Sequence, residues 1–70
     1  MNGAAEIRVR GEAGIFVAET CAVIDGLVTA TGRYRRLVGA GYAQERFGPR
    51  ETLSWPVRRV DRIRWLSPVA

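Results

Sequence analysis

VIDGLV at residues 23–28 is the clearest local signal in this 70-residue chain. Asp25-Gly26 stands here between aliphatic residues on both sides. A two-residue hairpin turn needs positive φ at both central positions, and an Asp-Gly pair tolerates this well. We therefore predict an antiparallel hairpin that turns at Asp25-Gly26, with one strand over residues 15–24 and the other over residues 27–38.

Outward from this hairpin, apolar and polar residues alternate with the period of two that is typical of half-buried strands. Ile7 and Val9 alternate with charged residues in the first strand, and residues 51–55 and 61–66 continue the pattern. Gly32 lies inside the second hairpin strand and predicts a bulge or a sharp bend. Pro56 lacks an N–H and should end the strand before it.

Residues 39–50 are predicted to form one long loop, because three glycines and a proline interrupt any regular pattern there. The loop carries three side chains that a partner could contact. They are Tyr42, Arg46 and Phe47. We expect this segment to be an interaction loop, with a plain connection as the alternative. Residues 67–70 are expected to be a frayed end.

The predicted fold class is all-β, in a single domain over residues 1–70. Five or six short strands with tight turns indicate a small barrel or a barrel-like sheet, because closure removes the exposed edges. The chain has no long run of apolar residues at helical spacing. Only residues 56–60 favour one short 3₁₀ turn.

Residues 55–63 read Trp55-Pro56-Val57-Arg58-Arg59-Val60-Asp61-Arg62-Ile63. This segment resembles the end of an SH3-type barrel, where a proline precedes a single 3₁₀ turn, a valine follows, and an apolar residue three positions later opens the last strand. Sm-like barrels share this architecture. The early Ala-Leu-Tyr-Asp-Tyr run of SH3 domains is missing, and Arg58-Arg59 replaces their Asn-Tyr pair. The resemblance implies a five- to six-stranded SH3-like barrel and no particular activity.

The chain is basic, with eleven arginines, no lysine, seven acidic residues and a net charge of +4. Two explanations are open for the missing lysine. Arginine binds phosphates with a planar fork, so a nucleic-acid partner would favour it. A GC-rich genome also favours arginine codons, without any function.

Three triplets place an apolar residue between two arginines: RVR at 8–10, RYR at 33–35 and RIR at 62–64. Neighbouring residues on a strand point to opposite faces. We therefore predict that Val9, Tyr34 and Ile63 face the core and that the flanking arginines face outward. In an SH3-like barrel the first and last strands pair, which would bring the first and third triplets together.

These arginines are the candidate nucleic-acid-binding residues, together with those next to the second triplet and in the 3₁₀ turn. The full set is Arg8, Arg10, Arg33, Arg35, Arg36, Arg58, Arg59, Arg62 and Arg64. They could track phosphates, contact an acidic protein surface, or form a solvated outer face.

No catalytic, metal or cofactor site is expected. The chain has no histidine and a single cysteine, Cys21, which lies in an apolar run and predicts a buried side chain. Its carboxylates are scattered, so an enzyme is not expected. No apolar stretch is long enough to span a membrane and no signal peptide is visible, which favours the cytoplasm.

Two functions follow from this sequence. The first is a small non-enzymatic binding protein, acting as a nucleic-acid-binding accessory or regulatory protein through its Arg-rich strand faces. The alternative is a protein-interaction or assembly module, either a homo-oligomer or a subunit docked on a larger complex. Such a module could derive from a phage or a mobile element.

Overall fold

The structure is a computed structural model that describes residues 2–38 and 44–66. Within these ranges the chain forms six β-strands and one 3₁₀ turn, η1. The elements are β1 (Asn2–Val9), β2 (Ile15–Ile24), β3 (Leu27–Val38), β4 (Gln44–Phe47), β5 (Glu51–Pro56), η1 (Val57–Arg59) and β6 (Val60–Trp65). The predicted all-β fold with one short 3₁₀ turn is confirmed. No helix in the described residues is long and apolar enough to cross a membrane.

All six strands belong to one antiparallel sheet. Five of them follow the order β4-β3-β2-β1-β6, and β5 pairs with β3. The long β3 pairs with β2 along one edge. Along its other edge it pairs with β5 over residues 27–32 and with β4 over residues 35–38. Among the described strands no ladder joins β6 to β4 or β5, so the sheet is not closed. Of the two predicted forms, a barrel or a barrel-like sheet, the closed barrel is therefore not found.

The turn between β2 and β3 has the predicted geometry. Ile24 pairs with Leu27, which leaves a two-residue loop. Asp25 has φ of 51° and Gly26 has φ of 74°, so both central residues are left-handed. The local sequence thus determines this hairpin and its register.

The predicted irregularity near Gly32 lies in the facing strand. Ala18 pairs with Gly32 and Thr20 pairs with Thr31, so Glu19 is an extra residue in β2. β1 also shifts its register against this part of β2. A Cβ on Gly32 would overlap the backbone carbonyl oxygen of Val17. Gly32 is therefore needed because the bulged strand passes too close for any side chain.

The core is built around one ring. Phe16 is fully buried and makes edge-to-face contacts with Tyr34 and Trp55, at centroid distances of 5.1 and 5.3 Å. Such pairs add to the stabilisation from burial alone. Small and aliphatic residues fill the remaining buried positions, namely Ala5, Ile7, Val9, Ala18, Cys21, Val28 and Ala30.

The inward positions of the three triplets are confirmed. Val9 is buried, and Tyr34 and Ile63 are partly buried against the core cluster. Cys21 is buried as predicted, and its burial raises the pKa of the thiol.

The prediction of an uninterrupted loop over residues 39–50 is wrong in part. Residues 44–47 form β4 and pair with residues 35–38 of β3. Four residues are too few to show a clear alternation, and the ladder that β3 offers decides their conformation. Tyr42 and the predicted frayed end at residues 67–70 lie outside the described residues.

Candidate nucleic-acid interface

The outer face of β6, β1, β2 and β3 gathers arginines from three strands. Arg8 of β1 lies directly opposite Arg62 of β6, as the predicted pairing of the first and last strands requires. Glu6 lies opposite Arg64 in the same ladder. On the other side, Arg35 of β3 pairs with Ile15 of β2.

These residues surround a cavity of about 240 Å³. We call this surface the Arg face; it consists of Arg8, Arg35, Arg62, Arg64, Glu6 and Ile15. Four guanidinium groups and one carboxylate meet there.

Glu6 neutralises only part of this charge. Its Oε2 lies 3.3 Å from Nη1 of Arg35, and its Oε1 lies 3.8 Å from Nη1 of Arg64. The Glu6 side chain is 19% exposed. Among the side chains that the structure describes, which do not include that of Glu45, no carboxylate lies within 4.0 Å of the guanidinium of Arg8 or Arg62.

Arg8 and Arg62 therefore form a cross-strand pair of like charges, which is unfavourable for the folded chain. An anion placed between them would remove the repulsion and accept hydrogen bonds from both. Phosphate suits this geometry, because the planar guanidinium fork can donate two parallel bonds to phosphate oxygens.

The other candidate arginines lie at three places. Arg33 is exposed on β3, two residues before Arg35 and on the same side of the strand. Arg10 contacts Asp61, with 3.4 Å between Nε and Oδ1. Arg58 and Arg59 are exposed on η1, and the Arg59 carbonyl accepts a hydrogen bond from the Arg10 amide.

Arg36 and Arg46 belong to a second surface, where they face each other across β3 and β4. With Phe47 and Tyr34 they line a cavity of about 420 Å³. Phe47 is 55% exposed. Burial raises the pKa of Tyr34, and the neighbouring carboxylates of Glu12 and Glu51 raise it further, while Arg36 lowers it. We call this second surface the aromatic cleft.

The sequence separated these two surfaces only in part. Arg36 was grouped with the outer triplet arginines, whereas the structure places it in the aromatic cleft beside the loop residues Arg46 and Phe47. Glu6 lies between Arg35 and Arg64, a position that was not assigned to it from the sequence. Ile15 was not expected at the Arg face, although its position in the strand alternation could have indicated it.

Comparison of the chain with protein families, with curated proteins and with solved structures returned no match.

Proposed function

We propose that this chain is a small nucleic-acid-binding protein that performs no chemistry and acts as an accessory or regulatory protein. The observation that supports this most is the Arg8–Arg62 pair, which has no carboxylate partner among the described side chains and lies beside the partly neutralised Arg35 and Arg64. Phosphate contacts of this kind provide affinity without reading sequence.

We also propose an SH3-like fold and a cytoplasmic location for this protein. The order β6-β1-β2-β3-β5, with η1 between the last two strands in the chain, agrees with an SH3-like barrel. We place the protein in the cytoplasm on the basis of the sequence alone. Neither point is needed for the binding test.

Salt dependence is the most direct test of binding. If the four arginines of the Arg face each neutralise one phosphate, log K should fall with log salt with a slope of about −3.6 on duplex DNA. Affinity would then drop about a hundredfold between about 50 and about 200 mM salt. Fluorescence anisotropy with labelled duplex DNA, single-stranded DNA and RNA measures this. Affinity that ignores salt would contradict the proposal.

Two single substitutions separate the Arg face from net charge. Arg62→Gln removes one charge from the Arg face, and Arg50→Gln removes one from an exposed pair with Glu19 elsewhere, where Nη2 and Oε2 are 3.0 Å apart. We expect Arg62→Gln to weaken binding about tenfold at low salt and Arg50→Gln to weaken it less than about twofold. Equal losses would mean that only the total charge matters.

A second candidate is a protein-interaction module that binds an acidic partner through the aromatic cleft. The exposed Phe47, which lines this cleft together with Arg36 and Arg46, favours it. Pull-down from a lysate with and without nuclease distinguishes the two functions. Suppose that the Phe47→Ser variant no longer captures the proteins, whereas nuclease treatment of the wild-type pull-down leaves them bound. The chain then acts through protein contact, and the nucleic-acid proposal is wrong.

A further inference from the structure

One part of the outer surface carries no charge, although a quarter of the chain is charged. Three strands contribute three residues each, and cross-strand pairs join them into three rows. We call this surface the neutral face. It consists of Thr20, Ala22 and Ile24 on β2, Leu27, Thr29 and Thr31 on β3, and Thr52, Ser54 and Pro56 on β5.

The neutral face is accessible and partly apolar. All nine residues are half-buried or exposed, while the alternate positions on the same strands, such as Cys21, Val28 and Trp55, are buried in the core. Ile24 is 64% exposed and Leu27 is 44% exposed. These two residues form one row with Pro56, so the apolar part of the face is continuous.

Four of the five hydroxyl groups of the neutral face have partners within the chain. The Oγ1 atoms of Thr31 and Thr52 are 2.8 Å apart, and Oγ1 of Thr29 is 3.0 Å from Oγ of Ser54. Burying a hydroxyl is costly mainly when it loses its hydrogen bonds. These four hydroxyls keep theirs, so another surface can cover the face at low cost.

The distribution of charge indicates that the surface covering the neutral face is the neutral face of a second copy of this chain. A second copy of this chain has a net charge of +4 as well, so contact through any arginine-bearing surface is repulsive. A two-fold symmetric interface must be complementary to itself. Uncharged side chains and hydroxyls, which both donate and accept, meet that condition.

The ends of the neutral face favour one orientation of the two copies. Asp25 lies in the turn at one end, next to the row of Ile24 and Leu27. The ion pair of Arg50 with Glu19 adjoins the row of Thr20 and Thr52 at the other end. Antiparallel packing brings Asp25 of one copy towards Arg50 of the other, whereas parallel packing opposes the two Asp25 residues.

We propose that the neutral face is the interface of a homodimer. Because the neutral face and the Arg face share no residue, the dimer would leave both Arg faces uncovered and so present two phosphate-binding surfaces. The proposal does not depend on nucleic-acid binding, since it rests on the uncharged rows alone.

The dimer is expected to be weak. Rows about 6.7 Å apart on strands about 4.8 Å apart give a face of a few hundred Å². Standard interfaces bury about 800 Å² on each partner. We therefore expect a dissociation constant of about 100 μM and rapid exchange.

Sedimentation from about 10 μM to about 1 mM protein measures the association. We expect the dimer fraction to rise with concentration and to be at least as high at about 500 mM salt as at about 50 mM, because salt screens repulsion between copies. This salt trend is opposite to that of nucleic-acid binding. A monomer at every concentration and both salts would overturn the proposal.

Matched substitutions locate the interface. Ile24→Lys or Ser54→Lys places a charge on the neutral face of both copies, so either should lower the association constant at least tenfold. Phe47→Lys, an equally large change at an exposed residue of the aromatic cleft, should leave it unchanged. The reverse result, loss of the dimer only with Phe47→Lys, would overturn the proposal.

A measurement on the unchanged protein avoids any effect of substitution on folding. Backbone amide NMR shifts should change on dilution at residues 20–31 and 52–55. Shifts that instead change at residues 6–9 and 62–65 would place the contact on the Arg face and overturn the proposal.

Discussion

At the scale of single residues, Glu6 sets the charge of the Arg face. It is the one carboxylate in that set, and it lies within 4.0 Å of Arg35 and Arg64. If the Arg face binds an anion, as we propose, Glu6 competes with that anion for the same guanidinium groups, whereas its ion pairs stabilise the fold.

Glu6→Gln should increase affinity for duplex DNA about fivefold or more and lower the free energy of unfolding by about 1 kcal/mol, since exposed and partly exposed ion pairs are weak. Anisotropy and urea unfolding measure the two effects. Glu19→Gln is the control, because it removes the same charge from the exposed pair with Arg50. Reduced affinity in Glu6→Gln would show that Glu6 positions the arginines rather than competing with the anion.

Tyr34 gives a pH dependence whose sign follows from its surroundings. Burial, then Glu12 and Glu51, raise the pKa of its phenol above the ordinary value of 10.0. The folded state keeps this proton to higher pH than the unfolded chain does. Its contribution to stability is therefore complete below pH about 10 and is lost as the pH rises through the raised pKa.

Urea unfolding at several pH values above about 9 tests this for Tyr34. Cys21 contributes in the same direction, because its pKa is also raised by burial, so the informative quantity is the difference from Tyr34→Phe. The free energy of unfolding of the wild type should fall more steeply with pH than that of the variant. Parallel curves would contradict the assignment.

At the scale of elements, the bulge in β2 interrupts the regular pairing of this strand with both β1 and β3. Glu19 is inserted against both neighbours of β2, and the strand passes so close to β3 that only glycine fits at position 32. The turn at Asp25-Gly26 and the irregularity at Gly32 were both predictable from sequence, since each depends on local backbone requirements. The sequence did not predict which strand carries the bulge, because an extra residue in either β2 or β3 would explain a glycine at position 32.

Gly32→Ala should lower the free energy of unfolding by about 2 kcal/mol or more, because the added Cβ overlaps backbone that cannot move without breaking the ladder. Gly48→Ala is the matched control. A Cβ there would meet Tyr34 at 3.9 Å, an ordinary contact. Urea unfolding compares the two, and similar stability would mean that β2 can shift to accommodate the methyl group.

At the scale of the whole molecule, alternation along the strands was enough to separate inside from outside. It placed Val9, Tyr34 and Ile63 inward and most of the arginines outward, and the pairing of β1 with β6 followed from the SH3-like arrangement. The grouping of the arginines was harder to foresee. Arg36 follows Arg35 directly in β3, so strand alternation already places it on the opposite face, but the aromatic cleft around it forms only because β4 pairs with β3.

The uncharged rows of the neutral face also became visible only in three dimensions. Thr29 and Ser54 are far apart in the chain and lie opposite each other across β3 and β5. No local pattern marks such a surface, because it is defined by which strands are neighbours. The Arg8–Arg62 pair likewise depends on which strands are neighbours. The sequence indicated this contact only after the first and last strands were assumed to pair.

The ladder between β1 and β6 has a consequence for the order of assembly. It joins residue 7 to residue 63, whereas the β2–β3 hairpin joins residues 24 and 27. Closing the long segment costs more chain entropy than closing the short one, so the hairpin should form early and the terminal ladder last. Ile63→Val should then accelerate unfolding and leave the refolding rate nearly unchanged in stopped-flow measurements, while Val28→Ala should slow refolding. Slower refolding in Ile63→Val would place the two distant ends of the chain in the rate-limiting step.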